Sequence, residues 1–84
     1  MEQQIKIASK LYECRETIVR LYGTSWKESI SFHTNLIKAA MKKHCITNEI
    51  EAAMKLVDDC KHMDGAGVFT MKIFAAAVQL IEPI

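Results

Sequence analysis

The chain has 84 residues, half of them hydrophobic and a quarter charged, with a formal net charge of +1. That balance fits one globular domain over 1–84 and excludes a disordered chain or a second core. One proline and three glycines are too few turn residues for an all-β fold, and three cysteines without paired spacing fit a reducing compartment better than a disulfide framework.

The first element is expected to be a helix from about Glu2 to Tyr22. Ile7, Leu11, Cys14, Ile18 and Leu21 recur at helical intervals, with Ala8, Tyr12, Val19 and Tyr22 as a second stripe beside them. Such a wide apolar face has to be buried on more than one neighbour. Glu2, Lys6, Lys10, Glu13, Glu16 and Arg20 fill the opposite arc, and Glu2–Lys6 and Glu16–Arg20 are spaced for i,i+4 pairing. Gly23 stands where a left-handed residue ends a helix at little cost. No basic segment followed by an apolar one opens "MEQQIKIASK", so no secretory signal is expected.

"SWKE", Ser25 to Glu28, has the spacing of a capping box. The helix it opens is expected to run to about His44. Trp26, Ile30, Ile37, Ala40 and Met41 mark its main stripe, widened by Phe32, Leu36 and Ala39. A break at "CITNEIE" then offers Thr47 or Asn48 as the cap of a third helix reaching about His62, with Ile50, Ala53, Met54, Val57 and Cys60 on one face.

In the loop "HMDGAGVFT", Gly65 and Gly67 call for a tight turn, and Thr70 is positioned to cap the last helix. The segment "MKIFAAAVQLI" carries a single charge, Lys72. Its eleven residues would span roughly 16 Å as a helix, far short of a hydrocarbon slab of about 30 Å, so it cannot cross a membrane. A helix apolar all round belongs inside a protein. The expected fold is therefore all-α, a compact four-helix domain with the C-terminal helix at its centre. Either the other three helices cover it completely, or one side waits for a partner or a second copy of the chain.

The loop and the residues after it, "HMDGAGVFTMKIF", locally resemble the second half of an EF-hand calcium loop, with Gly67 at the bend and Phe69 at the hydrophobic position. The likeness covers about a dozen residues, and the ligand positions do not follow it. His62, Ala66 and Ile73 stand where oxygen ligands belong, and only Asp64 keeps one, so calcium binding is not implied.

No other metal or catalytic constellation is legible. His44–Cys45 and Cys60–Lys61–His62 are adjacent or one apart, and adjacent helical side chains diverge by about 100°. Cys14, Cys45 and Cys60 fall on or near apolar faces, where burial makes a thiol inert. Asp58 and Asp59 point to different sides of their helix. Neither a cofactor nor an enzymatic activity is expected.

Six basic residues are candidates for partner binding. Arg15 falls within the apolar face between Leu11, Tyr12, Ile18, Val19 and Tyr22. It is either paired inside the fold or turned toward a partner. His33 and His44 sit similarly on the second helix, as core-edge residues. Lys38, Lys42 and Lys43 lie on the exposed side of the second helix, and Arg20 and Lys27 extend the basic half. Residues 1–46 hold eight Lys/Arg against four Glu, whereas 47–84 hold three Lys against six Asp/Glu. Packed together, the halves partly cancel, which disfavours non-specific nucleic-acid binding. A helix-turn-helix around Gly23 would place Val19 and Ser29 at positions they fit poorly.

Two functional classes follow. The first is a non-enzymatic interaction module that docks on a larger cytoplasmic protein as an adaptor, accessory subunit or inhibitor, in a cell or an infected host. Small inhibitors encoded by phages and mobile elements belong to this class, and homodimerisation is compatible with it. The second is a small nucleic-acid-binding regulator using the basic half.

Overall fold

The computed structural model describes residues 2–84, with side chains from Ser9 onward. The side-chain readings for Ile7, Ala8 and the Glu2–Lys6 pair lie outside the described residues. Four helices are joined by short connections: α1 (Glu2–Tyr22), α2 (Trp26–His44), α3 (Glu49–Cys60) and α4 (Ala66–Ile81). The fold is all-α, with no strand among the described residues.

Helix α4 is the central post. Ala75, Ala76 and Ala77 are each 0% exposed and Val78 is 3%. Four consecutive residues sweep most of a helical turn, so their burial requires protein on nearly every side. α4 packs against α1, α2 and α3, whereas α1 and α3 do not meet among the described residues. Alanines on α4 and at Ala52 and Ala53 of α3 let the backbones approach closely. Leu11, Ile18, Ile30, Ile37 and Ile73 are the large side chains sealed within this packing. Each contributes roughly 1.5–3 kcal/mol relative to exposure.

The connections differ from the sequence expectations in instructive ways. Gly23 does end α1, at φ 59°, but a 3-10 turn over Gly23–Ser25 follows at once. Ser25 therefore has φ −97° and ψ 12° rather than the extended backbone of an N-cap. Its hydroxyl donates to the Tyr22 carbonyl at 3.0 Å, and the "SWKE" capping box does not form.

Asn48, in contrast, is extended, and its Oδ1 accepts from the Glu51 amide at 3.0 Å. α3 ends at Cys60, two residues before the expected limit. α4 starts at Ala66, after two successive turns closed by the Met63 amide to the Cys60 carbonyl at 3.1 Å and the Ala66 amide to the Met63 carbonyl at 3.2 Å, with Gly65 at φ 78°. Gly67 is helical and Thr70 lies inside the helix, so the EF-hand-like bend and the Thr70 cap are both absent.

Several apolar residues also fall outside the core. Leu21 is 67% exposed, Phe32 64% and Met54 48%. Ala39, His44 and Cys45 are exposed too. In the last turn of α1, Val19 packs on the core and the Lys72 ammonium of α4 lies 4.9 Å from the Tyr22 ring, while Leu21 points away from both. His44 and Cys45 stand at the C-terminal end of α2, where the chain turns toward α3.

Candidate docking surface

Among the described residues Arg15 is the only charged one in the core. Its Nη1 donates to Gln79 Oε1 at 3.1 Å and to the Glu82 carbonyl at 2.5 Å. Its guanidinium lies 5.3 Å from the Tyr12 ring centroid, and the Tyr12 hydroxyl donates to the Glu82 carboxylate. Gln79 Nε2 in turn donates to the Ile84 carbonyl at 3.0 Å. The residues after α4 are thus clasped to α1, and Arg15 is spent within the fold. A shallow hollow of about 450 Å³ opens beside it, lined by Tyr12, Arg15, Glu16, Val19, Arg20 and Ile84.

The other five basic candidates, Arg20, Lys27, Lys38, Lys42 and Lys43, are all exposed. None has a carboxylate partner among the described residues, where the ion pairs are Lys55–Asp59 and Lys61–Asp58 on α3. Lys27 Nζ lies 5.8 Å from the Trp26 ring. Lys42, Lys43 and His44 form the last turn of α2, where positive charge complements the helix dipole. Lys38 and Lys42 share the outer arc one turn apart. The structure therefore separates Arg15 from the other five.

What the sequence stripes concealed is a second apolar line on α2. Phe32, Leu36 and Ala39 follow at i, i+4 and i+7, and Lys43 extends the line by another turn. Phe32 and Ala39 are exposed and Leu36 is half-buried. In the sequence these residues merely widen the main stripe. The packing of α2 buries the arc of Trp26, Ile30, Ile37 and Ala40 and half-buries Leu36, and leaves Phe32 and Ala39 of this flank open. The signal was the excess width of the apolar face.

The thiols and imidazoles do not converge, and no group of three His, Cys, Asp or Glu side chains able to hold a metal occurs among the described residues. Cys45 is exposed, contrary to its expected place near an apolar face, while Cys14 and Cys60 are partly buried. Burial pushes the Cys14 thiol above its ordinary value, with Lys10 opposing, so it is a poor nucleophile at neutral pH.

His33 faces α4, with its ring 5.7 Å from that of Phe69, and its Nδ1 is buried with no hydrogen-bond partner among the described residues. Burial and then the Lys72 ammonium hold His33 below the ordinary histidine value.

Among the described residues no helix is long and apolar enough to cross a membrane. Comparison with known protein families, with curated proteins and with solved structures finds no match.

Proposed function

We propose that this protein is a non-enzymatic docking module, an adaptor, accessory subunit or inhibitor that binds a larger protein in a reducing compartment such as the cytoplasm. The observation that carries the reading is the Phe32 side chain, 64% exposed on a helix that already has a fully buried face. Large aromatic side chains left in water beside small apolar neighbours are typical anchors of protein interfaces. Leu36 and Ala39 continue the apolar line, and Lys38, Lys42 and Lys43 supply positive charge around it. The complementary partner surface is an apolar pocket with an acidic rim.

A photo-crosslinker at Phe32 in native extract tests the reading. It should trap one protein partner, and trapping should vanish when Lys42→Glu and Lys43→Glu are added. Crosslinks spread over many proteins, or unaffected by those changes, would overturn it.

A second reading is favoured by the five exposed basic residues that have no carboxylate partner among the described residues: a nucleic-acid-binding regulator holding phosphates with Arg20, Lys27, Lys38, Lys42 and Lys43. A mobility-shift titration separates the two. Binding that weakens steeply with salt supports phosphate contacts, and no shift at low salt removes them.

A further inference from the structure

Helix α3 is amphipathic in two directions. Ala52 and Ala53 are fully buried against the bundle, whereas Ile50, Met54 and Val57 form a separate line at i, i+4 and i+7. Met54 is 48% exposed, and Ile50 and Val57 are half-buried. Met54 and Val57 of this line border an apolar groove of about 470 Å³ between α3 and α4, whose other lining residues are Lys55, Asp58, Lys61 and Phe74, whereas Ile50 faces a smaller hollow with Leu11, Tyr12, Val78 and Ile81. No residue of it belongs to the α2 stripe, so its occupancy is independent of the function proposed above.

We infer that the occupant of this groove is a second copy of the chain, joined through α3 about a two-fold axis. The charges around the groove carry the argument. Glu51, Lys55, Asp58 and Lys61 alternate in sign along the outer side of α3. A helix of one charge would meet repulsion at two of the four positions. Run antiparallel, the same helix can set Glu51 against Lys61 of the partner subunit and Lys55 against Asp58 of the partner subunit.

With the axis at the level of residue 56, Glu51 lies level with Lys61 of the partner subunit, each about 7.5 Å from the axis at 1.5 Å per residue. Lys55 then lies within about 1.5 Å of the height of Asp58 of the partner subunit. Met54 meets Val57 of the partner subunit at the centre, and the two helix dipoles run antiparallel. An isologous interface requires this self-complementarity of a single patch. The present intrachain pairs, Lys61–Asp58 at 3.1 Å and Lys55–Asp59 at 3.9 Å, join exposed side chains and hold them only weakly against exchange.

Light scattering and sedimentation of the full chain test the inference. The wild type should approach twice its 9.5 kDa mass as concentration rises. Glu51→Lys, Lys61→Glu and Met54→Glu, each on an exposed position, should weaken self-association by about tenfold or more while helical circular dichroism is unchanged. Mixing the Glu51→Lys chain with the Lys61→Glu chain should restore association as a heterodimer, because each cross-pair again joins opposite charges. A chain that stays monomeric at about millimolar concentration overturns the inference. So does a dimer that none of the three changes weakens, or a mixture of the two reversed chains that fails to associate.

Discussion

Arg15, in the middle of α1, donates to the backbone carbonyl of Glu82, just beyond the end of α4. One guanidinium thereby ties together segments 67 positions apart. It shares the work with Gln79 Oε1 and with the face of Tyr12, and no carboxylate lies within ion-pair distance of it among the described residues. A charge held mainly by carbonyl oxygens suits arginine, whose planar fork can reach several acceptors at once.

Replacing Arg15 by Met should cost about 1.5–3 kcal/mol, since charged hydrogen bonds to two part-buried acceptors are lost. Lys should recover only part of this, because an ammonium cannot reproduce the fork. Tyr12→Phe, which removes one exposed hydrogen bond, should cost less than Arg15→Met. Urea midpoints for the three variants check the order, and equal stability of Arg15→Met and wild type would remove the clasp.

The two helix starts make a matched pair. Asn48 caps α3 through its side chain, so Asn48→Ala should lower stability by about 1 kcal/mol. Ser25 caps nothing, its hydroxyl being turned back to Tyr22, and Ser25→Ala should fall within about 0.5 kcal/mol of wild type. Denaturant melts of both variants decide this. A loss at Ser25 equal to that at Asn48 would mean that the capping box forms after all.

Cys45 holds a left-handed conformation at φ 56°, the only non-glycine residue that does so among the described residues. It closes α2 in a Schellman-type turn, with the Ile46 amide donating to the Met41 carbonyl at 2.9 Å. Because a Cβ is disfavoured there, Cys45→Gly should raise stability by about 0.5–1 kcal/mol despite the freer unfolded chain. Thermal melts under reducing conditions measure it. Cys45→Val, branched at Cβ, should move the melting temperature the other way.

His33 links folding to protons. Its folded-state value lies below the ordinary 6.5, so the unfolded chain binds a proton more readily. Stability is therefore full above about pH 7 and declines as pH falls through the unfolded value toward the lower folded one. His33→Phe should flatten the melting temperature between about pH 7 and pH 5 relative to wild type. If the slope survives in the variant, another group is responsible.

Much of this was legible in the residues themselves. The four helices, the glycine that ends α1, a cap for α3 at Thr47 or Asn48 and the interior position of α4 follow from local chemistry. Periodicity, capping side chains and an apolar run too short for a bilayer are properties of neighbouring residues. The capping box at Ser25 and the turn at Gly67 misled for a related reason. A local motif is used only if the backbone entering it has the right dihedrals, and those were set by the turn preceding each one.

Tertiary structure alone decided how the apolar width was divided. In sequence Ile37 and Phe32 belong to one broad stripe, yet Ile37 is sealed against the bundle while Phe32 stands in water. Likewise Ala53 is buried and Met54, its neighbour, borders the open groove. Hydrophobicity states which side chains favour burial. Which of them achieve it depends on where three helices can fit around one, and that is a matter of volume and crossing geometry over the whole chain. Arg15 shows the same division, because its need for partners was evident from its place on α1, while those partners lie at the other end of the sequence and only the fold brings them to it.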